Sequence, residues 1–154
     1  MAELAQVLPV DHAPVRRFEL PDLHKHAGWL VPRLLKTYTH LNERSVLGWL
    51  QNILYNNEYH FLYQDHAIGL AQSMSAHTLS GLPVIHERFV WCEDPKNAEQ
   101  QRQASHFYSE FARWAKMQGA NTMIVEENSD VPHEMVRDRL AKRVFERTQK
   151  FAKV

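Results

Sequence analysis

Ala104, Phe107, Tyr108, Phe111, Ala112 and Ala115 recur at i, i+3, i+4, i+7, i+8 and i+11. Only an α-helix puts those side chains on one face. A stripe so apolar must be covered by another layer. Gly119 follows where a left-handed stop belongs. Just upstream, Val84 to Cys92 alternates, with Ile85, Glu87, Phe89 and Trp91 on one face and His86, Arg88, Val90 and Cys92 on the other. Large apolar groups on both faces predict a strand inside a sheet. A helix and a central strand so close in sequence require a helix-on-sheet architecture.

The remaining segments fit that frame. Residues 1–14 carry Pro9 and Pro14 and read as an extended arm. Val15 to Leu20 suits a short first strand. Leu23, Ala27, Leu30, Val31, Leu34, Leu35 and Tyr38 have helical spacing, interrupted by Gly28 and Pro32, which predicts a kink or two short helices. Asn42 is an N-cap for a helix with Val46, Leu47, Leu50, Ile53 and Leu54 on one apolar face. Tyr59–Gln64 and Ala67–Ala76 read as a hairpin, and Ser80 to Pro83 as a second turn. Thr122 to Glu127 is a short buried strand, Asp130 and Pro132 open a last helix, and Val144 to Phe151 forms a final strand. The expectation is one α+β domain over residues 1–154, with a mostly antiparallel mixed sheet flanked by helices.

Charge excludes little in detail but much in class. The chain has 18 basic and 18 acidic side chains, so its overall field gives no reason to expect nucleic acid or an anionic membrane. From Arg137 to Val154 there are seven Lys or Arg against only Asp138 and Glu146, a pattern expected of a solvated helix and edge strand or, in the alternative, of a patch that attracts an anionic partner. No apolar run approaches the roughly 18 residues that span a bilayer. Met1 to Pro9 lacks a basic start and a long apolar stretch, so no secretory signal is expected there. Cys92 is the single cysteine, which fits a reducing compartment. A soluble cytoplasmic protein is the expectation.

The order of strand, two helices, three antiparallel strands, long helix, strand, helix and strand resembles the GNAT superfamily of N-acetyltransferases, from about Val15 to Val154. The most similar stretch is Tyr59 to Ser73, YHFLYQDHAIGLAQS, with Gly69 as the glycine of the family's third strand. The helix ending at Gly119, followed by a strand and Asn128, continues the pattern. The resemblance implies acetyl-CoA as cofactor and an amine acceptor, on a small molecule or a protein. It also implies that the pantetheine arm pairs with the backbone near Val90 to Cys92, and that Asn128 lies near the cofactor. The family's phosphate loop, Gln/Arg-x-x-Gly-x-Gly/Ala, falls on Glu99 to Ala104, where only Ala104 matches. Glycine lets successive N–H groups converge on phosphate. In its absence Gln100, Gln101, Arg102 and Lys96 are the side-chain candidates for the phosphates. The family often has a tyrosine in the last helix to protonate the thiolate, and this chain has Arg137, Asp138, Arg139 and Leu140 there.

Acetyl transfer needs an aligned amine, a proton acceptor and a polarised carbonyl. His86 and Glu87 lie at the middle of the fourth strand, where the resemblance puts a base, and Glu87 is the expected one. Cys92, with no paired His or Asn motif, reads as a small buried hydrophobe. No metal is expected: His24 and His26 are poorly spaced for one helical face, and His133-Glu134-Met135-Val136-Arg137 replaces the second histidine of a zinc helix with a cation. Trp29, Trp49, Trp91 and Trp114 read as core and groove lining. Two functions follow: an acetyl-CoA-dependent N-acyltransferase, or a catalytically silent GNAT-like module that binds a protein or forms a homodimer or larger assembly.

Overall fold

The computed structural model describes residues 15–74, 81–125 and 128–141. In chain order the elements are β1 (Arg16–Arg17), α1 (Leu20–Thr37), α2 (Glu43–Leu54), β2 (Tyr59–Gln64), β3 (Ala67–Met74), β4 (Val84–Cys92), α3 (Ala98–Ala104), α4 (His106–Met117), β5 (Thr122–Val125) and α5 (His133–Ala141). The five strands lie in the order β1-β2-β3-β4-β5. Neighbours are antiparallel except β4 and β5, which are parallel. A parallel pair needs a crossover, and α3 with α4 supplies it. The class is α+β with a mixed sheet. The expected strand at 144–151 lies outside the described residues.

Two cores cover the two faces of the sheet. On one, Leu62, Ala71, Ile85, Val90, Cys92 and Met123 meet Phe107, Tyr108, Phe111 and Ala115 of α4 and Val136 and Leu140 of α5. On the other, Phe61, Tyr63, Ile68, Leu70, Phe89 and Trp91 meet Leu30 and Leu34 of α1 and Leu50 and Ile53 of α2. The stripe on α4 is therefore a core face, as its spacing predicts. Asn42 caps α2 by accepting from the N–H groups of Arg44 and Ser45. Gly119 takes φ 77°, which only glycine adopts cheaply.

Four expectations change. Helix α1 runs unbroken through Pro32: the ring faces solvent, while Leu30 and Leu34, both fully buried, anchor the helix on either side of it. The first strand shrinks to Arg16–Arg17 because the Asp22 carboxylate accepts from Glu19 N–H and starts α1 at Leu20. Helix begins at Ala98 rather than at Ala104, and Ser105 breaks it into α3 and α4. The alternation along β4 also fails. Leu70 pairs with Phe89 and Ala71 with Glu87, so Arg88 is an extra residue, a β-bulge. Ile85 and Glu87 therefore share a face with Val90 and Cys92, while Phe89 and Trp91 turn to the other.

Gly69 is buried in β3 where a Cβ would come within 3.1 Å of the Phe107 and Phe111 rings. Gly69→Ala should cost about 1–3 kcal/mol, the usual range for an overpacked core. Urea unfolding measures it, and a change below about 0.5 kcal/mol would mean that the two rings move aside freely.

Candidate functional site

The site expected from the sequence lies at the C-terminal end of β4, where β5, the loop before α3 and the start of α5 converge. β5 pairs with β4 in register from Val84–Thr122 to Glu87–Val125. Further along, Val90 is bridged to Ser129, also in the parallel sense. Asp130 N–H donates to Val90 C=O at 2.9 Å, and Cys92 N–H donates to the Asp130 carboxylate at 2.8 Å. The backbone groups of Val90 and Cys92 assigned to a pantetheine arm are thus bonded to the chain's own Asp130.

Asp130 is itself held. Arg33, from the middle of α1, grips both carboxylate oxygens at 2.6 Å each. The guanidinium also lies 4.5 Å from the centre of the Trp91 ring. The Asp130 side chain is only 9% exposed, so this two-armed pair works in a partly dry setting where charge-assisted bonds are strong. Asn128 bonds to β4. Its Oδ1 accepts from Trp91 Nε1 at 3.1 Å.

Glu87 is fully buried, facing Tyr108 of α4. Tyr108 Oη donates to the Glu87 carboxylate at 3.1 Å and lies 2.7 Å from Ser129 Oγ. Val131 N–H donates to Ser129 Oγ at 3.1 Å. A phenol has one proton, so Ser129 donates to Tyr108 and Tyr108 to Glu87, a directed chain from β4 to the segment after β5. Burial, and then the Glu87 charge, push the Tyr108 phenol well above its ordinary range. Cys92 is raised to about 12, by burial and then by Asp130, and is no thiolate nucleophile at neutral pH.

The phosphate candidates have partners within the chain. Gln100, Gln101, Arg102 and Ala104 all lie on α3. Asn97 caps that helix by accepting from Gln100 N–H at 3.0 Å. Gln100 Oε1 accepts from Asp94 N–H at 2.8 Å, and Gln101 Nε2 donates to Pro95 C=O at 2.7 Å. Arg102 pairs with Glu99, and Ala104 is buried in the core. Lys96 N–H donates to Asp94 Oδ1 at 3.2 Å, and Glu93 N–H to His66 C=O at 2.8 Å. The loop closes on itself rather than turning its amides to one centre.

Sequence reasoning missed Arg33, Tyr108, Ser129 and Asp130 as members of one cluster. Tyr108 is legible only as part of an apolar stripe, and Asp130 only as a helix opener. Nothing in the local pattern marks Arg33, which sits 97 residues from its partner. No described group of three His, Cys, Asp or Glu side chains is arranged to hold a metal. Among the described residues no helix is long and apolar enough to cross a membrane. No protein-family model, curated protein or solved structure matches the chain.

A second buried polar cluster borders the same strand end. Trp29 Nε1 donates to His26 Nδ1 at 3.0 Å, so His26 carries its proton on Nε2, 3.2 Å from Tyr63 Oη. Burial lowers the pKa of His26 and of His60, against the opposing pull of Glu93 and Glu110 respectively. The unfolded chain therefore binds protons more readily at these two histidines. Their contribution is complete above the unfolded value of about 6.5 and is lost as the pH falls below it. Urea unfolding at successive pH values should show stability falling between about pH 7 and pH 5, with a smaller fall in His26→Gln. A flat profile in the wild type would contradict this.

Proposed function

We propose that this chain is a GNAT-like module that is catalytically silent and acts by binding, either to a partner protein or to a second copy of itself. One observation carries the reading. The polar groups of Val90 and Cys92, which a pantetheine arm would need, are bonded to Asp130, and Arg33 holds Asp130 in place. Two others agree with it. The loop before α3 spends its N–H groups on its own side chains and carbonyls. Glu87 has no exposed surface from which to accept a proton directly from an amine.

A second reading, an N-acyltransferase using acetyl-CoA, is favoured by a different observation. The Arg88 bulge of β4 lies beside the buried Glu87–Tyr108–Ser129 chain. An extended amide ligand could pair with Val90 and Cys92 beyond this bulge once Asp130 moves. The proton of an acceptor amine would then reach Glu87 through Ser129 and Tyr108.

Calorimetry with acetyl-CoA separates the two. The silent module gives no heat of binding at about 1 mM ligand, in the wild type or in Asp130→Ala. Binding by the wild type in the micromolar range would overturn it. Binding that appears only in Asp130→Ala or Arg33→Ala would identify an acyltransferase scaffold closed by its own latch. Sedimentation at several concentrations tests the assembly arm, in which the mass rises with concentration.

A further inference from the structure

Arg102, Ser105, Met135, Asp138 and Arg139 line a cavity of about 150 Å³ between the α3–α4 junction and α5. Arg139 is half-buried and oriented by a hydroxyl and an imidazole. Its Nε donates to Ser105 Oγ at 3.0 Å, and Nη2 lies 3.2 Å from His106 Nε2. Ser105 is fixed in turn, its hydroxyl donating to Arg102 C=O at 2.5 Å. A guanidinium has five N–H donors. Two are used here, and Arg139 forms no ion pair with a carboxylate among the described residues. A partly desolvated guanidinium that is aimed and not neutralised is the main requirement of an oxyanion site.

We propose that this cavity binds a phosphate group, held by the fork of Arg139. The volume exceeds the share of several waters, each about 30 Å³, and accommodates a tetrahedral oxyanion. Of the lining cations Arg102 is paired with Glu99, which leaves Arg139 as the one without an ion pair among the described residues. Asp138 sharpens the choice of ligand. A phosphate at neutral pH retains a proton and donates it to this carboxylate, whereas sulfate has none to give and meets only repulsion. The site is separate from the β4 edge and stands whether or not that edge admits a cofactor. A phosphate monoester, with its second pKa at about 6, has mostly lost that proton at neutral pH and shares only the contact with the Arg139 fork.

The test is an amide NMR titration of the full chain with inorganic phosphate, sulfate and adenosine 3′,5′-bisphosphate. Saturable shifts at Ser105, His106 and Arg139 are expected with phosphate below about 10 mM, and weaker ones with sulfate. Arg139→Gln keeps the length and removes the charge, and should weaken phosphate binding by about tenfold or more. Arg139→Lys keeps the charge and loses the fork, and should fall between. It carries the test if the glutamine variant proves unfolded. Tighter binding of the bisphosphate than of free phosphate, lost in the same variants, would assign the ester as the ligand. Shifts that never saturate, or that survive in both Arg139 variants, would overturn the site.

Discussion

The carboxylate of Asp130 joins three parts of the chain that are far apart in sequence. One oxygen accepts from the Cys92 amide at the end of β4, and both accept from Arg33 of α1. Its own N–H completes Val90. Helix α1 packs on one face of the sheet and α5 on the other, so this residue fastens both layers to the strand between them. The cost of leaving a partly buried charge unpaired, about 3–5 kcal/mol, makes the arrangement hard to undo one residue at a time. The functional reading depends on that fixity, because an edge already bonded offers little to a ligand.

The bulge at Arg88 creates the need for such a fastening. It shifts β4 by one residue, turns Phe89 and Trp91 toward α1 and α2, and brings Glu87 into the opposite core. Buried there, the carboxylate requires donors, and Tyr108 supplies one. Beyond the bulge Val90 is bridged to Ser129, next to Asp130. Bulge and buried acid are consequences of one inserted residue.

The sequence makes local structure legible where a periodicity or a cap carries it. The α4 stripe, the β2–β3 hairpin, the Asn42 cap and the Gly119 stop all follow from spacing or backbone preference. The β4 faces are misread because alternation assumes no bulge, and Arg88 carries no local mark of one. Ile124 illustrates the same limit at the edge. It is 38% exposed, while its neighbour Met123 is buried, because parity along a four-residue strand is set by the sheet and not by hydrophobicity. The helix start is misread because Asn97 begins a helix earlier than the apolar stripe does. The candidate site is the least legible part. Its contacts join residues 33, 92 and 130, and no local pattern encodes a pair so distant in the chain.

Hydrogen exchange at the Cys92 amide tests this account most directly, because its acceptor is a single side chain rather than a neighbouring strand. The closed edge predicts protection of at least about a thousandfold in the wild type, the scale of a few kcal/mol of opening free energy. In Asp130→Ala that protection should fall sharply while amides within β3 stay slow. Rapid exchange of Cys92 in the wild type, at the rate of an exposed loop amide, would contradict the closed edge and the silent reading built on it.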